Sequence, residues 1–120
     1  MKSYKELEVY TMAFDYAIEV HLMSLKLPKF ELYEQGSQIR RSSKSVKDNI
    51  VEGYGRRRYK NEFIKFLTYA SASQLECMSQ LEMISSLYPK LECEKLITQY
   101  DSLGGKLYNF TRFVEKEWKV

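Results

Sequence analysis

Two long stretches of this chain place residues of one kind at alternating steps of four and three. Phe63, Leu67, Ala70, Gln74, Cys77, Leu81, Ile84 and Tyr88 form one series. Leu96, Tyr100, Leu103, Leu107, Phe110 and Val114 form the other. A repeat averaging 3.5 residues keeps each series on one helical face and suits near-antiparallel packing at about 20°. Pro89 punctuates the gap between them. The whole 120-residue chain has five Gly and two Pro, too few turn formers for an all-β domain.

Two more helices precede these. The first opens on Ser3-Tyr4-Lys5-Glu6, a capping-box pattern, and carries Leu7, Tyr10, Phe14, Ala17, Ile18, His21 and Leu25 at steps of three and four. Pro28 ends it, because the residue before proline is pushed out of the helical region. The second starts near Gly36-Ser37 with Ser37 as N-cap, carries Ile39, Ser43, Val46 and Ile50, and stops at Gly53 or Gly55. The third runs from about Tyr59 to Leu87. Four helices with short joints read as an all-α, antiparallel up-down-up-down four-helix bundle, one domain over residues 1–120. Gly104-Gly105 falls inside the fourth helix, where each glycine costs about 1 kcal/mol against alanine. The pair reads as close helix packing or a kink.

The scarce residue types exclude chemistry. One His, two Cys and no Glu-x-x-His leave no metal site and imply no cofactor. Cys77 fits the core of the third helix as a small hydrophobe, and with Cys93 reads as a free thiol in a reducing compartment. His21 sits on or beside the apolar stripe of the first helix. Glu52, Glu62 and Glu76 read as ion-pairing groups and not as an acid–base pair. No catalytic residue is expected, and the chain reads as non-enzymatic. No run approaches eighteen apolar residues, so no membrane span is expected. Met1-Lys2-Ser3-Tyr4-Lys5-Glu6 leads into an amphipathic pattern and not a signal peptide, which points to the cytoplasm.

The net charge of +3 hides an asymmetry. Residues 37–65 hold nine basic and three acidic side chains, a net of +6, while the remainder holds ten and thirteen, a net of −3. At 100° per residue, Arg40, Lys44 and Lys47 fall within about 60° of one another, a cationic stripe beside the core. Like charges three and four apart weaken an isolated helix, so helix stability does not explain the stripe. Arg41, Ser45, Asn49 and Glu52 lie on other faces and read, with Gln38, as a polar network within the bundle or between subunits. The stripe leads into Gly53-Tyr54-Gly55-Arg56-Arg57-Arg58-Tyr59-Lys60 at the corner of the second and third helices. Arginine forks grip phosphates, and tyrosine rings stack on unpaired bases. Arg40, Lys44, Lys47, Arg56, Arg57, Arg58 and Lys60 are therefore the candidate nucleic-acid contacts, with Tyr54 and Tyr59 as stackers. Ten tyrosines also favour association between copies.

One motif carries a resemblance. The pattern Q-x-R-R-x-x-x-S-x-x-x-N-I-x-E-G-x-x-R is met at Gln38, Arg40, Arg41, Ser45, Asn49, Ile50, Glu52, Gly53 and Arg56. Pro28-Lys29-Phe30-Glu31 and Glu62-Phe63-Ile64-Lys65-Phe66-Leu67, with Ala70, Ser73 and Glu76, extend it over nearly the whole chain. Ala72 departs where glycine is frequent. The chain thus resembles the bacterial four-helix-bundle proteins encoded in intervening sequences of large-subunit rRNA genes, a group that includes the accessory protein of diversity-generating retroelements. The resemblance implies a non-enzymatic homo-oligomer, a ring-shaped pentamer in many members. The expected partner is nucleic acid, RNA ahead of DNA. The alternative is an accessory subunit that docks an acidic protein, such as a reverse transcriptase, through the same basic face.

Overall fold

The computed structural model describes residues 3–119. Met1 and Lys2 of the opening pattern, and Val120 at the end of the domain reading, lie outside them. Four long helices dominate the described chain: α1 (Glu8–Ser24), α3 (Gln35–Gly55), α4 (Lys60–Leu87) and α5 (Glu94–Glu117), with a one-turn α2 (Lys29–Leu32) between the first two. Short 3₁₀ turns cover Tyr4–Glu6 and Pro89–Leu91. No strand occurs among the described residues.

Contacts between the helix ends establish the topology. Arg40 near the start of α3 reaches Ser24 at the end of α1, and Tyr4 before α1 meets Tyr54 at the end of α3. Ser42 bonds Gln80, while Arg56 just past α3 pairs with Glu62, so α3 and α4 run antiparallel. Phe63 at the start of α4 packs on Phe110 near the end of α5. Lys106 pairs with Glu8 and Lys95 with Glu19, which closes α5 onto α1, again antiparallel. The helices therefore pack in the cyclic order α1, α3, α4, α5, with α1–α4 and α3–α5 as the diagonals. The result is a rod of 48 × 22 × 20 Å.

The core of α4 and α5 follows the four-three series. Phe63, Leu67, Ala70, Gln74, Cys77, Leu81 and Ile84 are buried from α4, and Leu96, Tyr100, Leu103, Leu107 and Val114 from α5. Gln74 is the polar member, and its Nε2 donates to the Tyr100 carbonyl at 2.8 Å. That side chain explains one glycine: a Cβ on Gly104 would stand 2.6 Å from the same Nε2. Gly53 is explained likewise, since a Cβ there would meet Phe66 Cβ at 3.1 Å and Phe63 Cδ1 at 3.2 Å. Close α3–α4 approach thus requires glycine in the last turn of α3.

The first helix departs from expectation. Its buried residues are Val9, Ala13, Ala17, Val20, Met23 and Ser24, while Phe14, Ile18 and Leu25 of the expected stripe face outward. The segment is apolar around most of its circumference, so periodicity offered two competing faces. The face with Ala13 and Ala17 packs inward, because small side chains let α1 approach its neighbours. Ser3 accepts a bond from the Lys5 N–H and caps the 3₁₀ turn, and α1 begins only at Glu8. At the other end α1 stops at Ser24, ahead of Pro28, which instead leads into α2. Helix α3 begins at Gln35 without a side-chain cap, so Ser37 lies inside its first turn.

Candidate nucleic-acid interface at the helix corner

The chain turns from α3 to α4 within four residues, Arg56-Arg57-Arg58-Tyr59. The Arg56 N–H still bonds the Glu52 and Gly53 carbonyls, and the Tyr59 N–H closes back on the Arg56 carbonyl at 2.8 Å. This tight joint projects three consecutive arginines at one end of the rod, and their surroundings differ.

Arg56 is neutralised. Its Nη1 donates to Glu62 Oε1 at 3.0 Å, Nε lies 3.6 Å from Glu52 Oε2, and the guanidinium sits over the Phe66 ring. It clamps the end of α3 to the start of α4. Arg57 stacks at 4.1 Å on the Tyr54 ring and donates to the Tyr54 carbonyl. Arg58 lies 5.9 Å from the centre of the Tyr59 ring. Among the described residues Arg57, Arg58 and Lys60 form no ion pair. Tyr59 is 64% exposed.

Tyr54 is not a stacker. It is 6% exposed and packed edge-on against Tyr4, Phe63 and Trp118. The motif treats the two tyrosines flanking the arginines alike. The signal that separates them is helical phase, because Tyr54 stands four residues from Ile50 on the buried face of α3, whereas Tyr59 lies beyond the helix.

The cationic stripe on α3 also divides. Arg40 turns inward, where its Nη1 donates to Ser24 Oγ at 2.9 Å and Nη2 to the Leu32 carbonyl at 2.8 Å. The guanidinium lies over Gly36, whose missing Cβ would stand 2.8 Å from Nη1. It joins α1, α2 and α3 and is not presented to a phosphate. Lys47 is bonded to Asp48 at 2.6 Å. Lys44 is exposed and forms no ion pair among the described residues. Both lysines line a groove between α1 and α3, eight or more residues back along α3 from the corner.

The expected polar network is present in part. Ser45 Oγ lies 2.9 Å from Ser73 Oγ, and Asn49 Nδ2 donates to both the carbonyl and the hydroxyl of Ser45. Ser42, a buried participant that periodicity did not identify, donates to Gln80 Oε1 at 2.6 Å. Its signal was a serine pointing at the α4 side of α3. Glu52 belongs with Arg56 at the corner and not to this network. Gln38 and Arg41 stay outside it, facing a polar groove shared with Glu76 and Gln80.

No group of three His, Cys, Asp or Glu residues among those described could hold a metal ion. No described helix is long and apolar enough to cross a membrane. The family model described as 23S rRNA-intervening sequence protein matches residues 5–109 of the chain. No curated protein matches it.

Proposed function

Since the chain belongs to the 23S rRNA-intervening sequence protein family, we propose that it is a non-enzymatic, cytoplasmic, homo-oligomeric bundle that binds RNA through its α3–α4 corner. The carrying observation is that Arg57, Arg58 and Lys60 form no ion pair among the described residues beside an exposed Tyr59, while the neighbouring Arg56 pairs with Glu52 and Glu62. Three cations within four residues attract phosphate oxygens, and the tyrosine ring offers a face to an unpaired base. The family's tie to an rRNA intervening sequence, together with that ring, puts RNA ahead of DNA. An assembly of copies repeats the corner and multiplies the local positive field. The resemblance to ring-forming relatives sets a pentamer as the expected stoichiometry.

A salt titration tests the binding. Three phosphate contacts per bound corner predict a slope of log K against log salt of about −2 on single-stranded RNA. Replacing Arg57, Arg58 and Lys60 with Glu removes binding while helicity by circular dichroism is retained. A slope near zero, or full binding by the triple variant, refutes the proposal and leaves the corner to an acidic protein partner.

A further inference from the structure

Most residues of the α3 motif are engaged inside the protomer. Arg40, Ser45, Asn49 and Gly53 bond or pack within the bundle, Ile50 lies in the core, and Glu52 pairs with Arg56. Gln38 and Arg41 remain. Neither side chain forms a hydrogen bond or an ion pair among the described residues. At 100° per residue, Gln38, Arg41, Ser42 and Ser45 share an arc of about 100° on α3. With Glu76 and Gln80 of α4 they line one groove of about 270 Å³.

The floor of this groove is fixed in place. Buried Ser42 donates to Gln80 Oε1 at 2.6 Å, which orients the Gln80 amide and leaves its Nε2 without a partner among the described residues. Ser45 Oγ is held by Ser73 and by Asn49 Nδ2. The walls are charged. Arg41 stands on α3 and Glu76 on α4, both exposed, and they line the same groove without forming an ion pair with each other or with any other described residue. Opposite charges thus face one space, with amide donors between them that the protomer does not use.

All six lining residues are polar or charged. A protein partner calls for apolar area at the centre of its contact, and an unpaired base for a ring to stack on. The groove offers neither. A small solute with opposite charges at its two ends satisfies both walls at once. We propose that the α3–α4 groove binds a free amino acid as its zwitterion. The Arg41 fork donates to the carboxylate, Glu76 accepts from the ammonium group, and the Gln38 and Gln80 amides meet a polar side chain. The groove is smaller than pockets for drug-sized ligands and suits a solute of about ten non-hydrogen atoms. Both charged contacts are open to water, so the dissociation constant should be about 1–10 mM. The site shares no residue with the α3–α4 corner and does not rest on the RNA-binding reading.

NMR titration of the full chain tests the site, with glycine, L-serine and L-glutamine as separate probes. At least one should shift the Gln80 side-chain amide and Arg41 Nε–H signals along a saturating curve. The primary amide of that amino acid lacks the carboxylate, and its N-acetyl form lacks the ammonium group. Each should bind about tenfold more weakly or worse, the loss of one charge-assisted contact. Arg41→Gln and Glu76→Gln should each weaken the parent amino acid by a similar factor, with helicity by circular dichroism retained. No saturable shift with any of the three probes overturns the proposal. So does equal binding of the blocked forms, or unchanged binding by both variants. The RNA-binding reading stands or falls on its own salt titration in every case.

Discussion

Arg40 holds three elements together with one guanidinium. Its two nitrogens satisfy Ser24 Oγ at the end of α1 and the Leu32 carbonyl at the end of α2, and Gly36 leaves the room. Bonds from a charged donor contribute about 1.5–3 kcal/mol, and loss of the donor strands acceptors that are partly shielded from water. Arg40→Ala should therefore lower the unfolding free energy by about 2 kcal/mol, read as a shift in urea midpoint at constant slope. RNA affinity should stay unchanged. Arg40→Lys should recover little, because an ammonium cannot span two acceptors as a fork does. The helical angle put Arg40 in a cationic stripe with Lys44 and Lys47 as a phosphate contact, and that angle alone does not say which way a long side chain leans. The motif surrounding it has the same character. Arg40, Ser45, Asn49, Gly53 and Arg56 bond or pack within the bundle, and the cations without an ion pair among the described residues lie just past them. Tyr100 makes a second residue-scale point. Its buried hydroxyl has no hydrogen-bond partner among the described residues. Tyr100→Phe should then be neutral or stabilising by about 1 kcal/mol in a thermal or urea melt, since it removes a polar group without stranding another.

At the scale of the element, α5 contains two adjacent glycines with different reasons. Alanine at either position gains about 1 kcal/mol of helix propensity. At Gly104 that gain is opposed, because the new methyl group displaces Gln74 from its bond to the Tyr100 carbonyl. Gly104→Ala should lose about 1–2 kcal/mol net, within the usual range for overpacking. Gly105→Ala meets open space and should gain up to about 1 kcal/mol in the isolated protomer. Urea melts of the two variants at a concentration where the chain is monomeric check the sign of each. Equal effects would refute the distinction. Of the two sequence readings of the pair, close packing or a kink, close packing applies at Gly104 alone. The helices α4 and α5 were legible from their spacing to within a few residues, because a long four-three series fixes one face of each and Pro89 marks the joint between them. Helix α1 was legible as a helix but not in its orientation. Two apolar faces competed there, and only the packed bundle chose between them.

Across the whole molecule, the segment with net +6 was readable from sequence, yet the bundle spreads its cations over separate surfaces. Arg41 faces the α3–α4 groove, Lys44 and Lys47 the α1–α3 groove, and Arg57, Arg58 and Lys60 the end of the rod. Folding also creates a pH dependence that composition does not contain. Burial pushes the Cys77 thiol from 9.0 up to about 12. Burial raises the Tyr100 hydroxyl from 10.0, with the neighbouring Cys77 adding to it. Partial burial moves Cys93 in the same direction. Below pH 9 both the folded and unfolded states keep these protons, so their contribution does not vary. Above pH 9 the unfolded thiols ionise while the folded ones do not, and unfolding is favoured increasingly as pH rises. Each proton released only on unfolding lowers stability by about 1.4 kcal/mol per pH unit, and Tyr100 joins above pH 10. Urea-derived stability should accordingly be level from pH 7 to pH 8.5 and fall from pH 9 toward 12. Tyr100→Phe separates this cause from other alkaline titrations. The variant should start its decline at the same pH as the unaltered chain, but fall less steeply above pH 10, by about one proton's worth of slope. If the two profiles stay parallel through pH 11, the tyrosine hydroxyl is not part of the alkaline loss.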